Sequence, residues 1–153
     1  MKINFTRALF LFFIAYIVVT ILATSTSIAY SIIYKTPPPA PGVTVLKSAE
    51  FVATVPYHVL IMLVIWPVFA GIYFKKPRQK NSSLQLDETR SLSFLWLASA
   101  IIVDCVGFVL MKHPYSLTPH EFYIDYQPWI TLIYIAIFLS PWIRLWLLRL
   151  MEK

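Results

Sequence analysis

The chain has 153 residues, of which 59% are hydrophobic and 13% charged, and its formal net charge is +6. A soluble domain usually carries about 25% charged residues, so a single small water-facing core is excluded as a home for this much apolar surface. The bilayer is its natural solvent, and the sequence reads as an all-α membrane protein.

Four apolar stretches are long enough to cross, each near the roughly 20 residues a span needs. They cover about 8–34, 51–74, 91–111 and 128–148. No stretch of domain size remains between them, so 1–153 is expected to form a single four-span membrane domain.

The first span carries Thr20, Thr24, Ser27 and Ser31 at helical spacing. Such a stripe of small hydroxyl residues marks a helix-packing face, with a conduction path as the sharper alternative. The basic start, the apolar run and "TSTSIAY" also resemble a secretory signal with Ala29 at the cleavage position, though the apolar part is long for one. The span is expected to be retained.

The following loop opens with "TPPPAPG", which predicts an extended, polyproline-like spacer. In the second span Pro56 and Pro67 each remove a backbone donor, and Pro67 is expected to kink the helix. The loop "KKPRQKNSSLQLDETR" is basic, and "DETR" reads as acids at the start of the third span with a cation just after. The single cysteine, Cys105, leaves no internal disulfide or CxxC motif, and within a span it reads as a small hydrophobe.

Basic residues set the expected orientation. Lys2, Arg7, Lys75, Lys76, Arg78, Lys80, Arg90, Arg144, Arg149 and Lys153 fall on one side, against Lys35, Lys47 and Lys112 on the other. The positive-inside rule then places both termini and the Lys75–Arg90 loop in the cytoplasm. Asn4 and Asn81 head glycosylation-type triplets on that inner side, where they should go unused. Tyr30, Tyr34, Tyr73, Phe74, Trp129, Trp142 and Trp146 sit where interfacial belts belong. The excess of cations needs no nucleic acid to explain it.

Depth along the spans is the most informative reading. Asp104 lies seven residues before Met111, His58 seven after Phe51, and Ser27 seven before Tyr34. Thr131 and Tyr134 lie three and six residues after Pro128. At about 1.5 Å per residue these groups share a level roughly 10 Å beneath the outer surface. An acid within a span costs on the order of 3 kcal/mol unless it finds partners or water. Asp104 is therefore expected to point inward and bond His58, Tyr134 or both. Either this polar layer clamps the bundle, or it handles a proton, ion or small polar substrate.

The second outer loop offers His113, His120, Glu121 and Asp125, whose spacing matches no standard metal motif. "TPHEF" reads instead as a capping threonine, a proline at the first helical position and a glutamate at the third. That predicts a short amphipathic segment lying over the bundle. Four spans with an outward polar level and two aspartates resemble lipoprotein signal peptidases. The residues depart from that family: Asp104 is too deep, the fourth span carries Thr131 and Tyr134 but no aspartate, and the asparagine motifs are absent.

The leading expectation is a small accessory or interaction protein of a bacterial inner membrane, of partner-binding or immunity/exclusion type. Its partner would be another membrane protein or a second copy of the chain, with no cofactor and no metal. An oligomeric transporter or proton-coupled carrier using Asp104 and His58 stands second. A membrane-embedded hydrolase or transferase acting at the outer leaflet stands third.

Overall fold

A computed structural model describes residues 3–37, 44–75, 82–112 and 116–151. It is 88% helical, and no strand occurs among the described residues. Helix α1 spans Phe5–Tyr34, α2 Ala49–Phe74, α3 Ser82–Asp104 and α4 Trp129–Met151. Beyond Asp104, α3 continues through wider π-type turns over Cys105–Leu110. Four helices are long and apolar enough to cross a membrane, α3 doing so over Gln85–Leu110.

Local chemistry accounts for the helix limits. The Asn4 side chain accepts from the Arg7 amide at 3.0 Å, satisfying a donor that the first turn of α1 leaves free. At the other end Lys35 adopts a left-handed conformation with φ 49°, and its amide donates to the Ser31 carbonyl. Helix α4 passes through Pro141, which brings no amide to the Ile137 carbonyl. The Ser140 hydroxyl donates to that carbonyl instead, at 2.8 Å. Helix α3 begins well before its apolar stretch, so "DETR" begins more than one turn inside it rather than at its start. An established helix extends cheaply through good helix formers such as Leu86 and Glu88.

The helices form a ring in the order α1, α2, α4, α3. Neighbours α1/α2 and α3/α4 run antiparallel, whereas α1/α3 and α2/α4 run parallel. The α1/α3 seam is the thinnest of the four. Large aromatics fill the centre. Trp66 packs against Phe12 at 5.5 Å between ring centroids and against Trp96 at 5.4 Å, bridging the ring's diagonal from α2 to α3.

Burial is uneven along α1. Ala8, Leu11, Phe12, Ala15 and Val19 are buried, while no residue from Thr20 to Tyr34 is. Of the residues placed in interfacial belts, Tyr30, Tyr34 and Trp146 lie at the surface or near it. Tyr73 does not. It is buried, accepts from the Asn4 amide at 3.2 Å and donates to the buried Glu88 carboxyl at 2.9 Å. The polyproline spacer lies largely outside the described residues, as does Asn81.

Candidate functional site

Asp104 ends the regular part of α3 and is only 6% exposed. Its carboxyl group accepts a hydrogen bond from the Tyr16 hydroxyl of α1. The Tyr134 hydroxyl of α4 is buried against the same carboxyl without closing a hydrogen bond of good geometry. Tyr123 and Tyr126, from the connection before α4, also lie near enough to feel its charge. Burial, with Asp104 nearby, pushes the Tyr126 hydroxyl well above the ordinary phenol range. Burial raises the Tyr123 hydroxyl too, and the neighbouring Cys105 adds to it.

This acid is surrounded by phenols, not by imidazole. His58 is equally buried but belongs to a second polar cluster, between α1 and α2. Its Nε2 stands 3.2 Å from the Ser27 hydroxyl, which stands 2.8 Å from Thr54 Oγ1. The imidazole also reaches toward the Ala23 carbonyl, and its ring meets Phe51 edge-on at 5.6 Å. Thr54 donates to the Glu50 carbonyl at 2.7 Å, so the chain of protons runs from His58 to Ser27, to Thr54, to Glu50. In that polarity the histidine donates to serine.

The expected bond between Asp104 and His58 is thus replaced by one to Tyr16. Matching depths brought out Ser27, His58, Asp104 and Tyr134, but depth leaves rotation about each helix axis undetermined. Tyr16 sits eight residues after Ala8 on the buried stripe of α1, and that stripe was the available signal. Thr131 departs from the expected layer. It is exposed, and its hydroxyl donates to the Gln127 side chain at 2.7 Å along the outside of α4. Ile130, Ile133 and Ile137 occupy the buried face there, and Thr131 is rotated away from it.

The connection before α4 covers Asp104. Phe122 is buried and stacks on Phe108 of the widened segment at 5.6 Å, and Tyr126 packs on Phe51 at 5.7 Å. A reciprocal cap starts this short helical piece. The Thr118 amide and hydroxyl each donate to the Glu121 carboxylate at 2.8 Å, and the Glu121 amide donates back to Thr118 at 3.2 Å. Those donors hold the exposed Glu121 carboxyl below its usual range.

Asp125 pairs with Lys47 at 3.2 Å and with His120 at 3.3 Å, tying this connection to the one before α2. His113 lies outside the described residues. Among the described residues no three histidine, cysteine or acidic side chains are grouped to hold a metal ion. Comparison with protein-family models, with curated proteins and with solved structures yields no match in any of the three.

Proposed function

We propose that this chain is a small multi-pass accessory protein of a bacterial inner membrane, acting by contact with a membrane partner or a second copy. In this reading both termini and the Lys75 end of the bundle face the cytoplasm, and the Phe122–Tyr126 lid lies at the outer surface. One observation carries the reading: between Thr20 and Tyr34, α1 has no buried residue. Within that length Thr20 and Thr24 are exposed one helical turn apart, the Thr20 hydroxyl donating back to the Tyr16 carbonyl at 2.8 Å. Small hydroxyl residues belong where membrane helices meet. Ser27 of the same stripe meets α2, but the exposed Thr20 and Thr24 leave the rest of it open to a neighbour from outside the bundle. An immunity or exclusion role, in which such a face blocks another membrane protein, is consistent with this form.

Cysteine crosslinking in native membranes tests the reading. A cysteine at Thr24 should trap one stoichiometric species, whereas one at Val68, exposed on α2, should trap none. Equal trapping at both positions, or at neither, would refute the proposal.

A second reading makes Asp104 the proton-handling group of an oligomeric carrier. The widened turns that begin at Cys105 favour it, because π-type segments recur at functional positions. That reading requires Asp104→Asn to insert and fold normally while transport stops. A hydrolase or transferase is supported least, given that His58 donates into a hydroxyl chain rather than orienting a nucleophile.

A further inference from the structure

A groove of about 760 Å³ runs between α2 and α4 at the Lys75 end of the bundle. Leu63, Val68, Ile72 and Leu147 give it apolar walls, and Lys75 and Arg144 supply cations. Arg144 lies fifteen residues into α4, about 22 Å along its axis, which approaches the far edge of a hydrocarbon core about 30 Å thick. The arginine is laid across the neighbouring helix at Gly71, where an added Cβ would come within 2.9 Å of its Nε. Any side chain at position 71 would make the arginine shift from that path.

The Nε of Arg144 is buried and has no hydrogen-bond partner, and among the described residues no carboxylate pairs with this guanidinium. A cation at hydrocarbon depth with a donor unmet is costly unless an anion reaches it. The nearest solvent at that depth is lipid.

We propose that this groove binds one anionic phospholipid, with its phosphate on Arg144 and Lys75 and an acyl chain along Leu63, Val68 and Leu147. The fork of a guanidinium suits bidentate recognition of a phosphate, and the ammonium of Lys75 adds a second charge at the groove's end. The site is separate from the Asp104 cluster and from the outer half of α1, so it stands or falls apart from the proposed interaction role.

Native mass spectrometry of the purified full chain tests it, with dioleoyl phosphatidylglycerol and dioleoyl phosphatidylcholine supplied in equal amounts. The wild type should retain one phosphatidylglycerol in preference by about thirtyfold, the scale expected for two cations meeting an anionic headgroup. Arg144→Gln, which leaves Lys75 alone, should cut the preference to about fivefold, and Arg149→Gln, outside the groove lining, should keep it whole. Gly71→Leu, which fills the arginine's path, should weaken selectivity with both cations still present. Equal retention of the two lipids by wild type overturns the proposal even if a variant fails to fold. Unchanged selectivity in Arg144→Gln, or displacement of the lipid by inorganic phosphate at equal concentration, overturns it as well.

Discussion

Tyr16 and Asp104 stand 88 positions apart in the chain, and so do Ala8 and Trp96. The first pair joins α1 to α3 through a hydroxyl and a carboxyl, the second through the Trp96 indole N–H and the Ala8 carbonyl at 3.0 Å. An equal offset is what two parallel helices in one register require. Eight residues separate the two bonds along each helix, about 12 Å. The thinnest seam of the ring is therefore pinned at two heights, and either bond would be lost by sliding one helix along the other.

Removing one partner of the upper pin should cost stability. Tyr16→Phe leaves the buried Asp104 carboxyl without its donor and should destabilise the protein by about 1–3 kcal/mol. Adding Asp104→Leu should recover part of that loss, since a pair replaced by apolar groups of similar size is nearly neutral. Thermal unfolding in detergent of the two single variants and the double variant reads the coupling. Simple additivity would show that the two groups do not act as a pair.

The lower pin should behave independently. Trp96→Phe removes the indole donor while the Ala8 carbonyl keeps its bond within α1, so the lost hydrogen bond should cost about 0.5–1.5 kcal/mol. Combined with Tyr16→Phe, the losses should add to within about 0.5 kcal/mol, because sites this far apart without shared partners rarely couple. The same unfolding assay checks this.

Asp104 and His58 should also prove uncoupled. Each has its own hydrogen-bond partner, Tyr16 for the acid and Ser27 for the imidazole. A double-variant cycle of Asp104→Asn and His58→Gln should close to within about 0.5 kcal/mol. A coupling well above that would mean that the two polar clusters work as one, as the carrier reading requires.

The cap before the lid has a pH dependence of known sign. Glu121 is held below its ordinary range by the Thr118 donors, so its folded value is depressed relative to the unfolded chain. Its stabilising contribution is present above the unfolded value, about 4.3 for a glutamate, and is lost as pH falls through the folded one. Hydrogen exchange at the Phe122 amide, bonded to the Thr118 carbonyl at 3.0 Å, should show looser protection in acid than predicted from intrinsic rates alone. Glu121→Gln should remove that excess pH dependence.

Orientation has a direct test. Cysteines placed at Ser82 and Ser116 should be labelled from opposite sides of the membrane, with Ser116 reached from outside. Labelling of both from one side would refute the four-span topology.

The four helices were legible in the sequence because bilayer thickness translates directly into a run of apolar residues. The capping box at Thr118–Glu121 was legible too, since it is a bond between residues three apart. The burden on Asp104 was visible for the same reason: an acid among so many apolar neighbours needs a partner. The identity of that partner was not. Distance along a helix axis can be counted from the sequence, but which way each helix is turned about that axis depends on how all four pack. Rotation took Thr131 to the outside, gave His58 to Ser27 and brought Tyr16 to Asp104. It also laid Arg144 over Gly71, a contact between residues far apart in the chain that only the assembled bundle creates.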